Sequence, residues 1–482
     1  MNKQAFINGH FTGDISHSNF LSINPSTLEI IGEIYQSTKE DVNNAVKSAR
    51  EAFDSGVWST ISIPERKKIF FKLVNLLEQN ANELAILDTK DMGIPIKHSL
   101  NMNAQGAINS YRWYAEAIDK WFSEFIPSET SEINYVTREP IGVVGAITPW
   151  NVPLFVTALK IAPALIVGNS VILKPAEQST LSALKLAELI KMAGIPDGAF
   201  NVLPGLGDTG KELAIHEDVD LISFTGSTEV GKKILKYAGY SNIKKICLEC
   251  GGKSPHIIFD DYQNLAYAAQ VAASSMFFNS GQTCIASSRL LIQENIVDEF
   301  LPLLCNELEN YKPSDPMNPD CTFGPIVDEI QYNKVLDYIK IGIAEQAKIY
   351  YGGQGLKEKM GGLYIEPTIF INVNNNYRIA QEEIFGPVLC VITFKDFDEA
   401  IKIANNSKYG LGASVWTSNI NRALLAAKQI RVGMVRVNTP GTGGIIAPFG
   451  GYKQSGIGRE RSMMAFNEYT EIKSTLINLK SF

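Results

Sequence analysis

The chain holds six cysteines, at 247, 250, 284, 305, 321 and 390, and one of them stands at a junction suited to chemistry. Cys284 follows Phe277-Phe278-Asn279-Ser280-Gly281-Gln282-Thr283, where an Ala-rich helix gives way to a strand. Small and polar residues there leave a backbone N–H free and let a ligand approach. A sulfur nucleophile must be the thiolate, and an ordinary cysteine, with a pKa of about 8.5, is only partly ionised near neutrality. A second reactive group is Glu249, in Glu249-Cys250-Gly251-Gly252 at the end of a predicted strand. Ligands bind at the carboxyl ends of parallel strands. A carboxylate beside two glycines at such a place can face the thiol across a cleft; a cap or an ion pair is its other reading.

Three further motifs need weighing. Gly205-Leu206-Gly207-Asp208-Thr209-Gly210 fits GxGxxG after a short strand, but the acidic residue expected about twenty positions on, at a strand end, is missing. Gly226-Ser227-Thr228-Glu229-Val230-Gly231-Lys232-Lys233 nearly spells a triphosphate loop. It fails where a hydroxyl should hold Mg²⁺ and Lys233 stands instead; what remains is a strand–turn–helix start able to hold one diphosphate. Cys247-x-x-Cys250 has no second pair to complete a zinc site, and the histidines at 10, 17, 98, 216 and 256 supply none. No metal is expected. His256 follows Pro255 and reads as a packed surface histidine; a thiol hydrolase pairing it with Cys284 is a rival reading.

The elements that must position these groups form a repeating strand–helix text. Strands are expected over 141–147, 170–174, 200–203, 221–224 and 245–250. Helices are expected over 153–167, 181–192, 211–216 and 230–237, preceded by long amphipathic helices over 39–53 and 63–81. After Gly252 the pattern restarts, with strands over 257–259, 289–292, 388–394, 413–417 and 434–437. Helices alternate with them over 265–278, 297–311, 399–405 and 422–429. Alternation with continuous apolar strands predicts two consecutive α/β domains, each an open parallel sheet covered on both faces. The alternating segments 121–138 and 470–480 read as exposed edge strands, which invite partners.

Composition narrows the classes. With 482 residues, 45% hydrophobic, 20% charged and a net charge of −7, the chain is globular and mildly acidic. It lacks a basic block for nucleic acid or an anionic membrane. The apolar stretch 141–173 is interrupted by polar residues and prolines and reads as buried core, not a membrane span. The opening residues hold no apolar signal core, so a cytoplasmic protein with reduced thiols is expected.

Taken together, the motifs resemble the series of the NAD(P)-dependent aldehyde dehydrogenase superfamily, in the family's order and across nearly the whole chain. They are Pro149-Trp150-Asn151, Lys174-Pro175-Ala176-Glu177, Phe224-Thr225-Gly226-Ser227-Thr228, Leu248-Glu249-Cys250-Gly251-Gly252-Lys253, Gly281-Gln282-Thr283-Cys284 and Glu383-Ile384-Phe385-Gly386-Pro387, with Pro448-Phe449-Gly450-Gly451-Tyr452-Lys453 beyond. Cys250 stands where the family usually has Leu. The resemblance implies an NAD-binding domain over 1–120 and 141–251, a catalytic domain over 252–452, and a β oligomerisation arm over 121–140 and 467–482, giving a homodimer or homotetramer.

The resemblance also implies roles. Cys284 attacks the aldehyde carbonyl, Asn151 and the Cys284 N–H hold the oxyanion, and Glu249 activates the hydrolytic water. The presence of Glu249 speaks against the coenzyme-A-acylating branch. Lys160 and Glu460 either relay protons or form a buried structural ion pair. Trp150, Lys174, Glu177, Gly207, Gly226, Ser227, Val230, Gly251, Glu383 and Phe385 match cofactor-binding positions. Glu177 repels a 2′-phosphate, so NAD is expected ahead of NADP. Val152, Val156, Leu159, Thr283, Ile285, Gly443 and Phe449 match the substrate tunnel. Without an acidic residue or an aromatic cage, they predict an uncharged, bulky aliphatic, terpenoid or aromatic aldehyde. A non-catalytic structural relative is the other rival, disfavoured because Cys284, Glu249 and Asn151 are all present.

Overall fold

A computed structural model describes residues 3–16 and 18–481. An eight-stranded sheet runs in the order Gly456–Ile457, Lys245–Glu249, Leu221–Thr225, Val143–Ile147, Ser170–Lys174, Phe200–Val202, Ala5–Ile7, His10–Thr12. Its five central strands are parallel. The chain moves outward from Val143–Ile147 to Phe200–Val202, then crosses back to place Leu221–Thr225 on the other flank. Strand order therefore reverses between Val143–Ile147 and Leu221–Thr225, and a crevice opens outside their carboxyl ends, the place where doubly wound sheets bind ligands.

A second, seven-stranded sheet runs Lys348–Tyr351, Thr368–Ile371, Val388–Phe394, Arg289–Gln293, Pro255–Ile258, Gly412–Trp416, Met434–Val437. Only Lys348–Tyr351 is antiparallel to its neighbour. The expected α/β architecture of two parallel-rich sheets is the observed one. The third sheet, Thr470–Asn478, Glu132–Pro140 and Glu124–Ile126, is antiparallel and leaves Phe125, Ile472 and Leu476 exposed. Of the segment assigned to the arm, Phe482 lies outside the described residues.

Local signals explain most boundaries. The helix Pro153–Val167 begins with Pro at its first turn and stops at Gly168, whose φ of 112° an L side chain resists. It is apolar almost all round because it is buried almost all round. Among the described residues no helix is long and apolar enough to cross a membrane.

Three expectations change. The helix expected over 63–81 is two, Ile63–Gln79 and Ala81–Met92, broken at Asn80, which caps the first by donating its side-chain N–H to the Leu76 carbonyl at 2.7 Å. No Gly or Pro marks that break. The short helix expected over 211–216 starts earlier, at Gly207. His256 is not at the surface: it is fully buried and stacked on Trp416 with ring centroids 5.8 Å apart, because its strand is interior to the second sheet, paired on both sides.

Candidate active site

The strand Val143–Ile147 delivers Thr148-Pro149-Trp150-Asn151 into the crevice, and the strand Lys245–Glu249 delivers Glu249 beside it. From the second sheet, the helix Leu265–Phe277 ends in a turn through Asn279, Ser280 and Gly281, all left-handed with φ of 48°, 56° and 74°. Such a run is costly for non-glycine residues and persists only where the surroundings hold it. Here Ser280 Oγ donates to the Gly324 carbonyl at 2.7 Å, and Gln282 Nε2 donates to the Pro325 carbonyl at 3.2 Å. The Val327 N–H donates to Gln282 Oε1 at 3.0 Å. At Gly281 a Cβ would lie 2.5 Å from the Gly386 carbonyl oxygen, so the turn closes only on glycine.

The two sheets are tied at this turn by a reciprocal pair. Asn279 Nδ2 donates to the Asn151 carbonyl at 2.9 Å, and Asn151 Nδ2 donates to the Gln282 carbonyl at 2.9 Å. One side-chain N–H of Asn151 thus fixes the amide two residues before Cys284, and the second remains for a ligand. Gly252 packs so closely that its Cβ would lie 2.5 Å from the Cys284 carbonyl oxygen. The strand end carrying Glu249 and the turn carrying Cys284 therefore meet.

Electrostatics follow from this convergence. Glu249 is buried, and neither carboxylate oxygen has a hydrogen-bond partner. Burial first, and then the Glu460 carboxylate, push its pKa well above the usual carboxylate range. Burial, with the Glu249 and Glu383 carboxylates, pushes the Cys284 thiol up to about 12, while Arg461 pulls it down. The protein alone therefore stores a thiol here rather than a thiolate. Lys160 and Glu460 form a buried ion pair at 2.5 Å, and Lys160 Nζ also donates to Ser223 Oγ at 3.3 Å. Ser223 Oγ in turn bonds the Tyr469 hydroxyl at 2.9 Å.

Residues along the crevice are shaped for a long polar ligand. Glu383 lies against Gly251 and Gly252: the Gly252 N–H donates to its Oε1 at 3.1 Å, and a Cβ on Gly251 would lie 1.9 Å from its Oε2. Burial pushes its carboxyl up to about 6. Phe385, at a φ of 59°, turns its ring edge-on to Trp150 at 5.2 Å between centroids. Lys174, buried, has its Nζ 3.4 Å from Glu177 Oε2. Gly226 follows Leu221–Thr225, and Ser227 caps the helix Thr228–Tyr240 by accepting from the Val230 N–H at 3.3 Å. Val230 itself is exposed, as is the Gly207 helix start in having nothing within 4 Å of its Cβ position. Thr225 Oγ1 is buried beside them without a partner.

Of the expected tunnel residues, Leu159 and Phe449 are buried; Val152, Val156, Thr283 and Ile285 are half-buried around Asn151 and Cys284 in sequence. Gly443 lies in an exposed loop at a φ of 75°. Sequence reasoning missed two residues here. Phe155, one helical turn before Leu159, and Arg461, next to Glu460, pack together: the guanidinium lies 5.4 Å from the Phe155 ring centroid and 4.6 Å from that of Phe449. The neighbourhood of Glu460 was the available signal for Arg461; nothing in the sequence marked Phe155.

Comparison with known proteins identifies the family and the fold. The model of the Aldehyde dehydrogenase family matches residues 11–475. The NADP/NAD-dependent aldehyde dehydrogenase PuuC of Escherichia coli (strain K12) is 44% identical, over 99% of this chain and 96% of that protein. The aminoacetaldehyde dehydrogenase of Pseudomonas aeruginosa is 41% identical, over 99% of this chain and 96% of its own. Among solved structures, an indole-3-acetaldehyde dehydrogenase complexed with NAD⁺ superposes with a TM-score of 0.98 at 48% identity, covering 99% of this chain and 97% of that one. The chain belongs to the aldehyde dehydrogenase family, whose members are oxidoreductases acting on aldehydes.

Proposed function

We propose that the chain oxidises an aldehyde to its carboxylic acid with NAD, through a thiohemiacetal and then a thioester on Cys284. The observation that carries this reading is the meeting of three groups between the carboxyl end of the first sheet and the amino end of the second. These are Cys284 against Gly252, the Asn151 amide bound on one side only, and Glu249 with both oxygens unpartnered.

The cofactor reading rests on the crevice. Trp150, Gly251, Glu383 and Phe385 form one end of a cradle; Lys174, Glu177, Gly207, Gly226, Ser227 and Val230 form the other, with the orphaned Thr225 hydroxyl between. Lys174 and Glu177 together suit a ribose diol, and the carboxylate disfavours a 2′-phosphate, so NAD is preferred to NADP. NAD bound there supplies the hydride acceptor.

The chain's own residues do the rest. The Cys284 thiol, held protonated by burial and neighbouring carboxylates, must lose its proton before its sulfur adds to the carbonyl carbon. The oxygen that gains charge is met by the free N–H of Asn151 and the Cys284 N–H, donors of the kind that are worth most where charge develops. Glu249 takes a proton from the water that cleaves the thioester, and its raised proton affinity suits that task. Lys160 and Glu460 tune it: Glu460 raises the proton affinity of Glu249, and Lys160 lowers it.

The aldehyde's body is apolar, whether aliphatic, terpenoid or aromatic. Relatives named for aminoacetaldehyde and indole-3-acetaldehyde leave the side group open; Val152, Val156, Leu159 and Phe449 favour carbon against them. The first sheet with its helices serves as the nucleotide domain and the second as the catalytic domain. The exposed apolar side chains of the small third sheet support a homodimer or homotetramer, and six free cysteines suit a cytoplasmic setting. The test is NADH formation across an aldehyde panel, wild type beside Cys284→Ala. Turnover abolished in the variant supports the reading; no NADH from any aldehyde in the wild type overturns it.

A further inference from the structure

Arg461 is a cation packed on Phe449, one of the residues expected to line an apolar tunnel, and its charge reaches Cys284. Its side chain is 7% exposed, and its Nε has no hydrogen-bond partner. The guanidinium lies over the rings of both Phe155 and Phe449. Among the described residues no carboxylate pairs with it. Glu460, its chain neighbour, is taken by Lys160 at 2.5 Å. Glu249, whose proton affinity burial and the Glu460 field raise, makes no hydrogen bond, to Arg461 or to any other group. Cys284, also within its field, is held as a thiol. Tyr114, whose hydroxyl proton burial holds, carries no charge. A buried cation without a matched anion is expensive, and burial lowers its proton affinity.

The position is also built. Arg461 and Ser462 both adopt left-handed backbone, φ 61° and 50°. The turn is pinned by the Phe449–Glu460 backbone pair, at 2.8 and 2.7 Å, and by the Ser462 N–H donating to the Ile445 carbonyl at 2.7 Å. Phe155 is fixed in turn, because its N–H donates to Asn103 Oδ1 at 2.9 Å. Aromatic faces favour one plane for a guanidinium and leave its N–H edge for a partner in that plane.

We propose that Arg461 is a specificity residue that selects aldehydes whose apolar body ends in a carboxylate, the two-pronged anion that matches the guanidinium edge. The inference rests on the aldehyde-oxidising reading above. It replaces the uncharged substrate expected from the sequence with an apolar aldehyde carrying one anionic end.

The experiment compares kcat/KM for succinic, adipic and azelaic semialdehydes with butanal, hexanal and nonanal, so that each acid is judged against the alkanal of its own length. Wild type should favour the acid about ten- to a hundredfold at one chain length, the scale of a charge-assisted hydrogen bond. Arg461→Met, which keeps length and loses charge, should erase that ratio even if the thiol, losing a nearby cation, turns over both substrates more slowly. Arg461→Lys should keep part of it, having charge without the fork. A purely structural role would lower both substrates together and leave the ratio unchanged, which overturns the proposal. So does a wild type with no acid preference at any length, a result that needs no variant to fold. Failure of every alkanal and every semialdehyde to yield NADH would instead sink the underlying reading.

Discussion

Replacing Glu249 with Gln separates the two halves of the reaction. Gln has the same volume, and no hydrogen bond is lost because neither Glu249 oxygen has a partner. No other carboxylate can stand in: Glu460 is held by Lys160 and Glu383 by the Gly252 N–H. The full contribution of a general base, about 10²–10⁴ in rate, or about 3–5 kcal/mol at about 1.4 kcal/mol per decade, should therefore be missing from kcat. Formation of the thioester does not use Glu249, so stopped-flow traces should retain a burst of NADH close to the site concentration, followed by a depressed steady rate. In wild type, kcat falls as pH drops through the raised pKa of Glu249, since the base is then protonated; the variant should lack that limb.

Stability gives an independent check. Below the ordinary carboxylate range, near about pH 4, Glu249 is protonated whether folded or unfolded, and the two proteins match. As pH rises from there toward the raised folded value, only the unfolded chain ionises, so wild type loses stability relative to Glu249→Gln. Thermal melts should therefore diverge in favour of the variant as pH rises. A burst lost together with the steady rate, or a steady rate left unchanged, would refute the assignment of Glu249 as the hydrolytic base.

Three other outcomes are expected. Asn151→Ala should lower kcat by about 10²–10³ while NAD affinity, read by fluorescence quenching, is unchanged. Gly251→Ala forces a methyl to within 1.9 Å of the present Glu383 Oε2; Glu383 must move, and the KM for NAD should rise about tenfold or more. Lys160→Met leaves Glu460 buried without its partner and should cost about 3–5 kcal/mol of stability by denaturant titration, most of it recovered by adding Glu460→Gln.

Much of the frame could be read from residue order. The helix Pro153–Val167 and the strands Ser170–Lys174, Val388–Phe394 and Met434–Val437 have the expected bounds, because Pro, Gly and unbroken apolar runs punctuate them. Elsewhere local signals failed. Asn80 ends a helix without an identifying residue. The strands Ala5–Ile7, His10–Thr12 and Lys348–Tyr351, at or beside sheet edges, are short, and pairing rather than pattern makes them strands. The helix Glu329–Ala344 was not expected either, although Asp328 caps it.

By itself the sequence determined which chemical groups exist and at which strand ends they fall: a thiol at 284, a carboxylate at 249, an amide at 151. Those positions follow from local periodicity and from glycines that permit close approach. Only the tertiary structure decided what those groups experience. Proton affinity and ion pairing depend on burial and on charges far away along the chain. Glu460 reaches Lys160 across three hundred residues, and Arg461 comes to rest over the rings of Phe155 and Phe449. Long-range packing sets those fields, and no local pattern in the chain encodes them.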